Sequence, residues 1–369
     1  MKQWQETREV FEFLARARGA GQRAALATVV RVRGSAYRHE GAKLAVAADG
    51  STAGNVSGGC LEQDVREVAL QVLRAGAPEL RSYCSSADEI EAWDLGVGCE
   101  GQVDLWVEPA DEPRAREREL LQGRTPFAVC TLLPEPGERP GRAGAARLIV
   151  TAAATEGDLG ATALNGAAAR RARAALGAPE AGASGLHAIA GRSVFIDVFE
   201  PPPQLLVLGA GDDARPLARC AADVGFRVVV VDRRPGLLTR ERFPAAAQLV
   251  ESSGDRLADV LPLDPACYAV VMTHNYADDQ AYLRALVPSS VAYIGVLGPR
   301  QRTERLIRNV GTAGSTDEGR IYGPVGLDIG TDGAEQVALA VIAEILAVRS
   351  GRRARSLRER AASIHAAAD

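Results

Sequence analysis

The strongest constraint on this chain is Gly209-Ala210-Gly211-Asp212-Asp213-Ala214, which follows directly on the apolar run 204–208 and opens a segment with helical spacing over 212–224. The pattern is G-x-G-x-x-A between a strand and a helix. In that setting Gly209 permits a tight turn, Gly211 lets a diphosphate approach the backbone, and Ala214 lets the helix pack on the strand. Asp232 closes the next apolar run, 226–231, where a carboxylate binds ribose hydroxyls. His274 follows a further run, 268–273, at the carboxyl edge where such sheets place their ligands. Donation to a ligand and satisfaction of a loop carbonyl are both open to it. Asp212 and Asp213 stand where an anion would sit, and Arg233-Arg234 leaves a plain and a phosphorylated ribose equally open.

The same grammar continues downstream, with a helix over 278–286, a strand over 291–297, a helix over 300–310 and a long apolar-faced helix over 334–348. Strand alternating with helix is the signature of a parallel sheet wrapped by helices. The fold class expected is therefore α/β: a Rossmann-like doubly wound parallel sheet over residues 201–369, joined to an N-terminal mixed α/β domain over residues 1–200. Pro201-Pro202-Pro203 stiffens the chain at the boundary. Upstream of it, strands are expected over 24–33, 43–48, 51–54, 79–83, 103–107, 127–132, 147–150 and 192–199, and helices over 61–75 and 161–175. Trp4, Phe11 and Leu14 lie at helical spacing among charges, as in an amphipathic surface helix. Residues 134–144, rich in proline and glycine, read as a loop, and no internal repeat of fixed period is found.

A chain of 369 residues exceeds what one hydrophobic core usually supports, so two cores are expected. Net charge is only −4, and the arginines form no basic stripe, which excludes a nucleic-acid footprint. No apolar run approaches the roughly 18–20 residues that span a bilayer, so no membrane association is expected. Six cysteines without a C-x-x-C pair point to free thiols in a reducing compartment, the cytoplasm, and against a zinc site.

Two glycine-cysteine loops mark the N-terminal domain. In Ser57-Gly58-Gly59-Cys60-Leu61-Glu62 the backbone amides and the Cys60 thiol converge on a helix N-terminus, a setting that favours anions and a reactive thiolate. The plain alternative is a glycine turn with Cys60 as a small core residue. Gly96-Val97-Gly98-Cys99-Glu100-Gly101 is a second such loop, running into a strand. Lys43 and Arg38 are candidate counter-charges for a phosphate-bearing ligand, against the alternative of a solvated hairpin face. No Ser/His/Asp order, paired-carboxylate spacing or H-E-x-x-H motif occurs, and His39, His187 and His365 carry no pattern.

These residues resemble the xanthine dehydrogenase accessory factor family (XdhC/CoxI). The first domain does so at Arg33-Gly34-Ser35-Ala36 with Gly41-Ala42-Lys43, at residues 56–62 and at residues 96–101. The second does so at Val207-Leu208-Gly209-Ala210-Gly211, Asp232-Arg233-Arg234-Pro235, Met272-Thr273-His274, residues 293–298 with Arg300, and residues 324–330. The resemblance implies a cofactor-binding chaperone more than a catalyst. Such a protein binds molybdenum cofactor (molybdopterin), supports exchange of a terminal oxo for a sulfido ligand, and delivers the product to an apo molybdenum hydroxylase of the xanthine dehydrogenase type. A cysteine desulfurase is a further implied partner, and a homodimer is the commonest assembly for such chains. On this reading Cys60 is the principal thiol and Cys99 the second; Ser57, Gly58, Gly59 and Gly98 line the cargo, and Lys43 is the counter-charge. Gly209, Gly211, Asp232 and His274 bind a nucleotide portion or support a docking face. Tyr37-Arg38-His39-Glu40 departs from the family, where a proline-rich turn is more usual, which bears on partner or cofactor specificity. The alternative class is an NAD(P)-dependent oxidoreductase using Gly209, Gly211 and Asp232, with His274 as the acid; it leaves both glycine-cysteine loops idle.

Overall fold

The computed structural model describes residues 2–34, 36–84, 101–110, 114–135, 138, 146–176, 184–311 and 319–360. The chain divides into two compact units, Lys2–Pro201 and the remainder from Pro202.

In the first unit, helix α1 (Lys2–Gly19) precedes β1 (Ala24–Gly34), β2 (Lys43–Ala47), β3 (Thr52–Gly54), α2 (Glu62–Ala75), β4 (Glu79–Cys84) and β5 (Gly101–Pro109). Then follow α3 (Ala115–Gly123), β6 (Phe127–Leu132), β7 (Arg147–Thr151), β8 (Thr155–Asp158), α4 (Thr162–Leu176), β9 (Gly185–Ile189) and β10 (Arg192–Phe199). The described strands form two five-stranded antiparallel sheets, in the orders β3-β2-β1-β5-β4 and β8-β7-β6-β10-β9. No repeat is legible as a sequence period, yet the two halves share one topology.

Alternate residues of β1 and β2 go to opposite faces, as the pleat requires. Ala25, Ala27, Leu44 and Val46 pack with Val65, Val68, Ala69 and Val72 of α2. Leu26, Ala45 and Ala47 pack instead with Trp4, Phe11 and Leu14 of α1, Leu120 and Leu121 of α3, and Phe127, Val129 and Phe199 of the second sheet. The spacing that marks α1 as amphipathic thus places its apolar stripe in the core shared by both sheets. α2 ends at Gly76, whose left-handed backbone (φ 65°) donates its amide to the Val72 carbonyl.

The second unit contains β11 (Gln204–Leu208), α5 (Ala214–Asp223), β12 (Arg227–Asp232), β13 (Gln248–Glu251), α6 (Leu257–Val260), β14 (Cys267–Val271), α7 (Tyr276–Leu286), β15 (Tyr293–Val296), α8 (Arg300–Val310), β16 (Ile321–Tyr322) and α9 (Ala334–Arg349). Its six described strands pair in parallel in the order β13-β12-β11-β14-β15-β16. This is the Rossmann-like doubly wound sheet expected from the sequence, and the order reverses between β11 and β14. Leu205, Val207, Val228 and Val230 face α5 and α9, whereas Leu206, Leu208, Val229 and Val231 face α7 and α8. A sheet buried on both faces needs such continuous apolar strands. No helix among the described residues is long and apolar enough to cross a membrane.

Candidate functional site

In the first unit, the Ser57–Glu62 loop enters α2 on the face of the sheet covered by that helix. Gly58 and Gly59 take positive φ values (95° and 128°), and Cys60 is exposed. The loop's amides converge, and their acceptor is a side chain of the same loop. Glu62 Oε1 accepts from the amides of Val56 (3.1 Å) and Ser57 (2.9 Å), and Glu62 Oε2 accepts from the Gly59 amide (2.9 Å) and the Ser57 hydroxyl (2.5 Å). Asn55 Oδ1 takes the Gly58 amide at 2.8 Å, and Ser57 Oγ takes the Leu61 amide at 2.9 Å. Burial pushes the Glu62 carboxyl up, but the donors from Ser57 and Val56 outweigh it and hold the group below the usual carboxylate range. A carboxylate thus already occupies the converging amides of Val56, Ser57 and Gly59. The exposed ring of Tyr37 lies against Gly58, so closely that a Cβ on Gly58 would meet its Cδ1 at 2.6 Å.

Lys43 stands elsewhere. Leu44 faces α2, so its neighbour Lys43 points to the opposite side of the sheet, where it is buried with its Nζ 2.5 Å from Asp197 Oδ2 and 2.8 Å from the Gly41 carbonyl. Burial lowers the Lys43 pKa from its usual value, with Asp197 opposing. The expected counter-charge of the Cys60 loop is therefore an interior group committed to Asp197. Arg38, the other candidate, is held by Glu6, with Nη1 3.1 Å from Oε1. Gly98 and Cys99 lie outside the described residues.

In the second unit, the topological switch point brings Gly209, Gly211, Asp232 and His274 together. Gly209 has φ 119°, and a Cβ there would lie 2.6 Å from the Met272 carbonyl oxygen at the end of β14. Asp232, buried at the end of β12, accepts from the Ala210 amide (2.8 Å) and from the amide, Nε and Nη2 of Arg234 (each 2.9 Å). Burial raises its pKa, but these donors prevail and hold the carboxyl below the usual range. His274 is exposed and left-handed (φ 60°), with Nε2 2.7 Å from Asp213 Oδ2. The other Asp213 oxygen fills the open side of Gly211, 2.8 Å from where a Cβ would stand. The cavity beside Asp232, lined by Arg233, Arg234, Ser253, Thr273 and Tyr282, measures about 10 Å³. That is the space of about one water molecule. In this conformation the site does not fit a dinucleotide: its ribose acceptor is bound to Arg234, and a carboxylate covers the glycine a diphosphate would approach.

Residues 205–345 match the XdhC Rossmann domain and residues 17–84 the XdhC and CoxI family. A curated relative from Bacillus subtilis (strain 168), a probable xanthine dehydrogenase subunit, is 33% identical over 334 residues, 89% of this chain and 94% of that protein. The chain belongs to the XdhC and CoxI family. A second relative, the molybdenum cofactor insertion chaperone PaoD of Escherichia coli (strain K12), is 25% identical over 347 residues, 93% of this chain and 88% of its own. Among solved structures, a Bacillus halodurans protein described as a xanthine dehydrogenase superposes with a TM-score of 0.75 at 28% identity, covering 94% of this chain and 98% of that one.

Among the described residues of this XdhC/CoxI chain, no group of three or more His, Cys, Asp or Glu side chains is placed to hold a metal ion. Sequence reasoning missed Glu62 and Asn55 as the loop's acceptors. The signal was present, since a carboxylate in the first turn of a helix with Ser, Asn and Gly before it is the composition of a cap.

Proposed function

We propose that this XdhC/CoxI protein serves in the maturation of a molybdenum hydroxylase of the xanthine dehydrogenase type, carrying molybdenum cofactor as cargo. The observation that carries the reading is the exposed Cys60 on a loop in which the amides of Val56, Ser57, Gly58, Gly59 and Leu61 already have acceptors, in a chain similar over 93% of its length to a molybdenum cofactor insertion chaperone. These internal hydrogen bonds hold the loop, which offers outward the Cys60 thiol, the bare backbone of Gly59 and the Tyr37 ring that lies against Gly58. A soft thiolate suits molybdenum or its sulfur ligands. In this reading Cys60 contacts the metal end of the cargo, and Ser57, Gly58 and Gly59 allow close backbone approach. Cys99 and Gly98 contribute from the second glycine-cysteine loop.

Support for sulfido exchange belongs to the same proposal, with a cysteine desulfurase as the partner that supplies sulfur, apo hydroxylase as the recipient, the cytoplasm as the site and a homodimer as the working assembly. The second unit presents Gly209, Gly211, Asp232 and His274 as a docking or regulatory face in place of an NAD(P) dehydrogenase centre. What supports this is that Arg234 already engages Asp232 and the Asp213 carboxylate lies against Gly211.

The test is anaerobic incubation with molybdenum cofactor, followed by gel filtration and molybdenum and pterin analysis of the protein peak, for the wild type and Cys60→Ala. Retention by the wild type with loss in the variant is expected. Equal retention by both reduces Cys60 to a structural role, and no retention by either, with NAD(P)-dependent absorbance change at 340 nm, returns the oxidoreductase reading.

A further inference from the structure

The two halves of the first unit correspond strand by strand. β1 to β5 and β6 to β10 have the same order of strands in their sheets, and each set is preceded by a helix and has a second helix between its third and fourth strands. The correspondence extends to register. Thr28 of β1 pairs with Lys43, the first residue of β2, and Thr131 of β6 with Arg147, the first residue of β7. Two residues earlier on each first strand, Leu26 pairs with Glu108 and Val129 with Asp197. Gly54 lies opposite Leu44 with φ 94°, and Gly157 opposite Leu148 with φ 100°. A side chain at either glycine would collide with the carbonyl of Lys43 or of Arg147 respectively. The loops before α2 and α4 are capped alike: Glu62 accepts from the Val56 amide (3.1 Å), and Asn165 accepts from the Leu159 amide (2.8 Å).

We infer that residues 2–199 are two copies of one αβββαββ fold fused in tandem, and that the copies recognise each other through a pair of exchanged acceptor sites. Asp197 of the second copy accepts from Lys43 Nζ (2.5 Å) and from Gln3 Nε2 (3.1 Å), both of the first copy. Its counterpart Glu108, in the first copy, accepts from Arg114 Nη2 (2.6 Å) and from Arg147, both of the second. Each carboxylate thus takes one donor from the start of the other copy's leading helix and one from the first residue of its second strand. Reciprocal contacts between equivalent positions define an isologous interface, as in a twofold dimer. Asp197 and Glu108 are both buried, so an acceptor facing the wrong donor set has no water to turn to.

The pairing of copies also separates what the fold demands of the Cys60 loop from what it does not. Aligned on Val56 with Leu159 and Glu62 with Asn165, Ser57-Gly58-Gly59-Cys60 corresponds to Gly160-Ala161-Thr162-Ala163. The cap is common to both copies; the thiol and the paired glycines belong to the first alone.

The test is made on the full chain by thermal unfolding followed through tryptophan emission. Exchanging only the donors, with Lys43→Arg and Arg147→Lys, gives each buried acceptor a donor of the wrong length. The midpoint should fall by about 5 °C or more. Exchanging the acceptors as well, with Glu108→Asp and Asp197→Glu, moves each pair whole to the other site. If the sites are equivalent, this four-residue variant regains at least half of the loss. Recovery of less than half overturns the equivalence, and a donor exchange that leaves the midpoint unchanged overturns the recognition role.

Discussion

The Lys43 ammonium lies 2.5 Å from the Asp197 carboxylate in the core between the two antiparallel sheets, with 6% and 5% of the two residues exposed. Removing one partner of a buried ion pair strands the other, whereas removing both leaves an apolar contact. Lys43→Met should therefore cost about 3–5 kcal/mol of stability in urea unfolding. The double variant Lys43→Met/Asp197→Leu should recover most of that. All three tryptophans, Trp4, Trp93 and Trp106, fall in the first unit, so emission excited at 295 nm isolates the unit concerned. A double variant no better than the single one would mean that the pair is not the relevant interaction.

The thiols should separate into two classes. Cys60 and Cys84 are exposed, whereas Cys130 and Cys267 are buried, and burial pushes the Cys130 thiol up to about 12. Thiolate is the reactive form. Titration with a chromogenic disulfide at pH 8 should modify Cys60 and Cys84 in native protein, with Cys130 and Cys267 reacting only on unfolding. Peptide mapping of the labelled protein assigns the sites, and early labelling of Cys130 would contradict the packing of β6 in its core.

Glu62 can be tested through the amides it binds. Glu62→Ala leaves Val56, Ser57 and Gly59 without their acceptor, and loss of such hydrogen bonds typically costs about 1 kcal/mol or more. Hydrogen exchange should accelerate at residues 56–59. Glu62→Gln retains an acceptor oxygen and should exchange at an intermediate rate, while α2 beyond its first turn stays protected in both.

The second unit was legible in the sequence because its strands, buried on both faces, read as unbroken apolar runs such as Val228 to Val231, and its turn chemistry sits between strand and helix. The first unit was less so. β8 (Thr155–Asp158) is exposed along its whole length and β16 (Ile321–Tyr322) is two residues long, so neither leaves an apolar signature. In β2 every residue is buried, so alternation of polarity could not say which face Lys43 takes. The internal correspondence escaped detection because identity survives only at scattered positions, such as Thr28 with Thr131 and Gly54 with Gly157, while elsewhere only the charge sign or the accepting role is kept: Lys43 answers to Arg147, Asp197 to Glu108, and Glu62 to Asn165. At the switch point the glycines, Asp232 and a carboxylate at the anion position were legible; spacing did not say that Arg234 folds back onto Asp232 or that Asp213 is held by His274, 61 residues away.

The two glycines of the switch-point turn should respond differently to alanine. At Gly209 the added Cβ meets the Met272 carbonyl, a backbone atom just beyond β14, and φ 119° is strained for any side chain. Gly209→Ala should destabilise the second unit by about 3 kcal/mol or more, since strain and overlap each typically cost 1–3 kcal/mol. At Gly211 the added atom comes close only to the Asp213 carboxylate, the end of a side chain that can shift together with its exposed partner His274. Gly211→Ala should cost under about 1 kcal/mol, within the usual range for tolerated substitutions. Far-ultraviolet circular dichroism, compared with tryptophan emission on the same samples, separates the second unit's unfolding from the first.

Acid should unfold the first unit through Glu108. Burial raises its pKa, but the charges of Arg147 and Arg114 outweigh this and hold the carboxyl below its usual 4.5. A carboxylate depressed in the folded state binds fewer protons folded than unfolded, so its contribution is present in full above the unfolded value and is lost as pH falls through the folded one. The urea midpoint read by tryptophan emission should accordingly hold level from about pH 7 to 5 and drop below about pH 4.5, where the unfolded carboxylate begins to take up protons. Glu108→Gln should start lower at neutral pH, because Arg114 and Arg147 lose the negative charge they share, and should show a shallower fall in acid. A variant whose acid slope matches the wild type would place the responsible proton uptake on a carboxylate other than Glu108.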